Sequence, residues 1–202
     1  MNKSITIEAS NIYFRGGFVL LEQLLEYCEQ NSLRADVYIG YKEVLDHFGN
    51  KNYNNISLIK TNGLKTFLRY FRRRNNTLFF CNLPPFVRCG KSVLYAHNSL
   101  FIQSPAIIRG KSVVFNLKKF FYYYWIKYFA KNVDTVACQT AAVQKTLWEN
   151  LRVKSELFPF YRTASPLDIP KEYEFCYVGS GAAHKNNMLL LDAVDQLSEK
   201  YL

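Results

Sequence analysis

The residues able to do chemistry gather in three places along the chain. His97 closes the strand-like run Val93-Leu94-Tyr95-Ala96-His97 and is followed by Asn98 and Ser99. Open α/β sheets bind ligands at the carboxyl ends of their strands. A catalytic imidazole there can donate to a hydroxyl or phosphate, or orient a sugar; a satisfied structural histidine is the alternative. Arg15-Gly16-Gly17 lies between the first strand-like run and the first helical one. Glycine lets the backbone approach a ligand, and the free N–H groups of a helix start attract anions. A plain tight turn uses the same residues. The third place is Gly179-Ser180-Gly181-Ala182-Ala183-His184-Lys185-Asn186-Asn187. Gly179 and Ser180 would present amides to a phosphate, with Lys185 as a point charge at a helix start. An ordinary strand–helix loop has this composition too.

Several other chemistries lack their residues. The GxGxxG fingerprint is incomplete, because Phe18 and Leu20 stand at its later positions, and Gly179–Lys185 lacks the spacing of a Walker loop. No GxSxG elbow marks a nucleophilic serine. No Asp-x-Asp pair is present to hold a divalent metal against a diphosphate. The five cysteines (Cys28, Cys81, Cys89, Cys138, Cys176) form no CxxC pair and have no histidine at ligand spacing. They read as small buried thiols of a reducing compartment. No metal and no cofactor is therefore expected. His47, in a short polar helix, reads as a surface residue.

The elements that must position these residues alternate along the chain. Strand-like runs are Ile5–Ala9, Ala35–Ile39, Ile56–Lys60, Thr77–Asn82, Ser92–His97, Val133–Gln139 and Ser155–Phe160. Between them, Phe18, Leu21, Leu24, Leu25 and Cys28 recur at helical spacing. So do Leu64, Phe67, Leu68 and Phe71, and then Ala142, Val143, Leu147 and Leu151. Alternation of this kind predicts an α/β fold with a mainly parallel sheet and helices on both faces. Residues 161–173, with Pro166 and Pro170, read as a linker between a first domain over 1–160 and a second unit over 174–202. That second unit is one strand, loop and helix, too little to close its own core. The reading is a second domain present only in part.

Charge is distributed unevenly. The chain of 202 residues carries a net charge of +10, yet from His47 to Val133 there is no Asp or Glu and there are fifteen Lys and Arg. Such a stretch attracts anions: nucleotide phosphates, anionic lipid headgroups or nucleic acid. Lys65–Arg74 combines Phe71 with Lys65, Arg69, Arg72, Arg73 and Arg74. At 100° per residue Leu117–Lys131 places Leu117, Phe121, Tyr124, Trp125 and Tyr128 on one face, opposite Lys119, Lys127 and Lys131. Basic amphipathic helices with aromatic faces suit a membrane interface; packing of the aromatic face on the sheet is the alternative. The first residues lack the apolar run of a signal peptide, and no charge-free apolar stretch of spanning length occurs. The expectation is a cytoplasmic protein, resting on the inner face of the plasma membrane.

Taken together, four stretches resemble the bacterial glycosyltransferases of the large retaining class with two facing Rossmann-like domains, the GT-B fold, family 4 type. They are Gly16-Gly17, Val93–Asn98, Val133–Thr140 with the helix that follows, and Phe175–Ser180 with His184–Asn187 and Leu189–Ala193. The last is the most specific. The resemblance implies that the first domain holds the acceptor and the second the nucleotide sugar. Gly16 and Gly17 would then lie near the donor phosphates, His97 near the transferred sugar, and Gly179, Ser180 and Lys185 on the diphosphate. Ser180 departs from the Arg that the family commonly places shortly after its Val-Gly. The reaction implied is hexose transfer from a nucleotide diphosphate sugar to a glycan or lipid-linked acceptor of the lipopolysaccharide, capsule or exopolysaccharide type, without a metal. With the later donor contacts missing, these 202 residues alone would not transfer sugar. The competing class is a non-enzymatic basic module for anionic lipid or RNA; the RNP1 pattern of RNA binders is missing, so nucleic acid is disfavoured.

Overall fold

The computed structural model describes residues 4–14, 16–104 and 112–159. Short apolar runs form seven parallel strands: β1 (Ile5–Ala9), β2 (Ala35–Ile39), β3 (Ile56–Lys60), β4 (Asn75–Phe79), β5 (Gly90–Ala96), β6 (Thr135–Cys138) and β7 (Glu156–Leu157). They make one sheet in the order β3-β2-β1-β4-β5-β6-β7. The helices are α1 (Gly16–Gln30), α2 (Lys42–Gly49), α3 (Gly63–Arg69), α4 (Val113–Phe129) and α5 (Ala141–Thr146), the last continued by a π turn over Leu147–Leu151. Alternate strand residues point to opposite faces. Ile7, Ala9, Val37 and Ile39 pack with Leu21 and Leu25 of α1 and with Val44 and Phe48 of α2. Phe79, Leu94, Ala96, Val136 and Cys138 pack with Ile126 of α4 and Val143 of α5. This is the α/β, Rossmann-like architecture expected from the alternation, with helices on both faces.

The strand boundaries differ from the sequence reading where a local backbone feature intervenes. β4 ends at Phe79 rather than Asn82, because Asn82 adopts a left-handed backbone (φ 63°) that leaves the ladder. β6 starts at Thr135 because the Val133 amide is drawn back to the Ala130 carbonyl. β7 is cut to two residues at the sheet edge. The chain divides into two units, Met1–Arg162 and Thr163–Leu202. The expected linker, the strand–loop–helix after it, Cys176, Gly179, Ser180 and Lys185 all lie outside the described residues.

One buried charge organises the face of the sheet that carries α3. Glu8, in the middle of β1, is 0% exposed. Its carboxylate accepts two 2.8 Å bonds from Nε and Nη2 of Arg69 and a 2.6 Å bond from Nη1 of Arg74. Arg69 also donates to Thr61 Oγ1 (2.7 Å) and lies over the Tyr38 ring, 4.0 Å from its centroid. A bidentate guanidinium–carboxylate pair of this kind is charge-assisted and directional. It tethers α3, whose seven residues include no buried side chain. The start of α3 is capped by Asn62 Oδ1, which accepts from the Lys65 amide at 2.8 Å.

Three of the expected anion contacts are therefore corrected. Arg69 and Arg74 are spent on Glu8, a carboxylate that enters from β1, outside the acid-free stretch. Lys119 is not on an outward basic edge: it is 1% exposed, and its Nζ donates to the Ser104 carbonyl at 3.1 Å. Burial pulls its pKa below the ordinary lysine value. The expected aromatic face of α4 is split as well. Trp125 is buried and donates to the Pro84 carbonyl, while Leu117, Phe121 and Tyr128 are exposed. Lys65, Arg72, Arg73 and Lys127 are exposed as expected. His47 sits at the surface, 3.3 Å from Glu22.

Removing the charge of Glu8 leaves two guanidinium groups with their principal partner lost. Glu8→Gln is expected to lower the free energy of unfolding by about 3 kcal/mol, measured by urea denaturation. A variant as stable as the parent would contradict the role given to this cluster.

Candidate functional site at the carboxyl edge of the sheet

Strand order reverses at β1: β2 and β3 lie to one side, β4 to β7 to the other. The crevice between the carboxyl ends of β1 and β4 is the switch point where such sheets bind ligands. The segments after β1, β4 and β5 meet near it. His97 directly follows β5, and Asn82 lies three residues beyond β4.

Asn82 orients the histidine. Its Oδ1 accepts from the backbone amides of His97 (2.8 Å) and Asn98 (3.1 Å). The oxygen so placed, the amide nitrogen faces His97 Nε2 at 3.3 Å. An amide nitrogen can only donate, so Nε2 is assigned as the acceptor and the ring proton sits on Nδ1. Nδ1 is buried and has no hydrogen bond of regular geometry among the described residues. The ring stacks with Phe80 (5.5 Å between centroids, 30°). Burial lowers its pKa from 6.5 to about 4, against a smaller opposing effect of the Tyr95 carbonyl. His97 is thus neutral near pH 7. A group so weakly basic suits hydrogen bonding to a substrate better than shuttling a proton at neutral pH.

Gly17 completes the constellation. A Cβ built there would sit 3.2 Å from His97 Nε2 and 3.2 Å from Ile12 Cδ1. The first turn of α1 therefore lies against the imidazole, as the absence of a side chain allows. Gly16 opens the same helix, and nothing lies within 4 Å of its corresponding position. Of the residues singled out in the sequence, the fold brings Gly17 and His97 together. Asn82 was missed. Its signal was an Asn between an apolar run and Leu83-Pro84-Pro85, a residue type that tolerates the left-handed region.

Beside the switch point a cleft of about 420 Å³ opens between α3 and α4. Ser10, Gly40 and Leu83 line its sheet end, and Phe67, Phe121 and Trp125 its helical walls. The Ser10 hydroxyl is buried without a partner among the described residues. At Gly40 a Cβ would fall 2.3 Å from the Ser10 carbonyl, so only glycine lets these two segments approach. Among the described residues no cluster of three or more His, Cys, Asp or Glu is placed to hold a metal. No family model and no curated protein matches the chain.

The lowered pKa of His97 makes stability depend on pH. Its folded value lies below the unfolded one, so between them the unfolded chain binds the extra proton. The contribution is complete above pH ~6.5 and is lost as pH falls toward 4, with a ceiling of about 3 kcal/mol. Urea unfolding of the parent and His97→Gln, compared at about pH 7 and about pH 5, should show a smaller acid-induced loss in the variant. Equal losses would contradict the burial assigned to this ring.

Proposed function

We propose that residues 1–160 are the acceptor-side half of a nucleotide-sugar glycosyltransferase built from two Rossmann-like domains. The reaction is hexose transfer from a nucleotide diphosphate sugar to a glycan or lipid-linked acceptor, on the cytoplasmic side of the plasma membrane. The observation that carries this reading is the neutral His97, aimed by Asn82 and packed on Gly17 at the switch point of the sheet. In the transfer, the acceptor oxygen bonds to the anomeric carbon while the bond from that carbon to the diphosphate leaves, and the acceptor hydroxyl gives up its proton. His97 Nε2 accepts from a hydroxyl of the sugar being transferred, in exchange for the 3.3 Å bond from the Asn82 amide. The N-terminus of α1 faces developing negative charge on the diphosphate. Gly179, Ser180 and Lys185 supply the remaining phosphate contacts, and the cleft between α3 and α4 receives the acceptor. RNA binding is the less favoured class, since Arg69, Arg74 and Arg88 are already paired with carboxylates.

The test is sugar transfer by the full-length protein, using a panel of radiolabelled nucleotide sugars and membranes bearing lipid-linked glycans. His97→Ala is expected to lower kcat/KM on the order of a hundredfold, and Lys185→Ala on the order of tenfold. Absence of transfer from every donor by the folded protein would contradict the proposal. Full activity of His97→Ala would contradict the role of the histidine.

A further inference from the structure

The two helices beside the cleft leave unusual side chains in solvent. On α3, Leu64 is 68% exposed and Leu68 is exposed beside it, with Phe71 exposed just past the helix end. On α4, Leu117 is 67% exposed, with Val113 before it and Phe121 after it on the same stripe. These rows border one opening. Phe67 and Phe121 line the same cleft, and Phe86 bridges the two sides, stacking on Phe71 (4.4 Å, 23°) and on Trp125 (4.4 Å, 24°). Leu64 and Leu117 stand three and four residues before the two cleft phenylalanines, one on each lip.

Leu64, Leu68 and Leu117 are left out of the core. α3 is fixed by Arg69 on Glu8, by its Asn62 cap and by the buried Tyr70 that follows it, while Phe67 and Phe71 pack on Phe86. Contiguous exposed apolar residues on two neighbouring helices mark an interaction surface. Its surroundings indicate the kind of partner. Lys65 on α3 and Lys118 on α4 are exposed beside the leucines, Arg72 and Arg73 are exposed just past the C-terminal end of α3, and none of the four forms an ion pair among the described residues. Among the described residues, the carboxylates paired with the arginines of this stretch are Glu8, held by Arg69 and Arg74, and Asp134, held by Arg88. Among the described residues no helix is long and apolar enough to cross a membrane.

We propose that α3 and the N-terminal half of α4 dock on the surface of an anionic lipid bilayer. Leu64, Leu68, Leu117 and Phe121 enter the boundary between headgroups and acyl chains. Lys65, Arg72, Arg73 and Lys118 lie over the anionic headgroups. The cleft between the helices then opens toward the membrane. This surface frames the cleft assigned above to the acceptor and shares Phe121 with it, but the docking itself does not require sugar transfer.

The experiment is co-sedimentation of the full chain with vesicles of phosphatidylglycerol and phosphatidylcholine, and of phosphatidylcholine alone, at low and high salt. Binding to the anionic vesicles is expected at low salt, with a fraction retained at high salt. Leu64→Ser combined with Leu117→Ser should lower the retained partition coefficient roughly tenfold or more while leaving the melting temperature unchanged. Arg72→Gln with Arg73→Gln should weaken the low-salt binding. No binding to anionic vesicles at low salt would overturn the proposal. So would equal binding to phosphatidylcholine alone, or complete release by salt together with indifference to the leucine pair, which would leave charge without insertion. A protein partner instead of a bilayer would show the first of these results.

Discussion

A carboxylate in the middle of a parallel sheet has no water to satisfy it, so its partners must be built into the fold. Glu8 has three charged bonds, two from Arg69 and one from Arg74, and the structure around α3 follows from them. Breaking such a cluster by removing one member is costly, because the remaining charge stays in a poorly solvated place. The body of α3 is consequently held to the sheet by polar contacts, the guanidinium of Arg69, the hydroxyl of Thr61 and the Asn62 cap, with the buried Tyr70 ring anchoring its C-terminal end. A helix tethered in this way has no need to turn its apolar residues inward. Leu64, Phe67, Leu68 and Phe71 remain outside, and together with α4 they frame the cleft.

The carboxyl edge obeys a different constraint. Buried backbone amides after β5 need acceptors, and the Asn82 carboxamide satisfies two of them at once. The same carboxamide decides which way the imidazole faces and which nitrogen carries its proton. Burial keeps that imidazole neutral, and Gly17 lets the first turn of α1 lie against it. Positioning and charge state of His97 thus come from three different segments, after β1, β4 and β5. They converge only because strand order reverses at β1.

How much of this was legible in the sequence depended on the range of the deciding contact. β1, β2 and β3 match their expected bounds, since each is a short run ended by local breakers. β4 slipped because Phe80-Cys81 continues the apolar run, and only the left-handed backbone of Asn82 ends it. Thirteen of the seventeen residues of α4 are apolar or aromatic, so a helical wheel had little contrast to choose the inner face. The choice came from distant carbonyls: Pro84 accepts from Trp125, Asn150 from Tyr123 and Ser104 from Lys119. Arg69 and Arg74 looked free because their partner lies more than sixty residues upstream. Gly17 and His97 could be singled out by residue type and position at strand ends. Asn82 offered only the signal of a turn-tolerant residue ending an apolar run, because its function exists only once β4 and β5 lie side by side.

The claim that an ion cluster, and not apolar packing, holds α3 is open to one direct measurement. Amide hydrogen exchange would be followed across Gly63–Arg69 in the parent, in Arg69→Gln and in Leu64→Ser with Leu68→Ser. The expected result is loss of protection in Arg69→Gln, with α1 still protected, and parental protection in the double serine variant. Protection kept in Arg69→Gln but lost in the serine variant would contradict the account, since α3 would then be held by the very side chains described as facing outward.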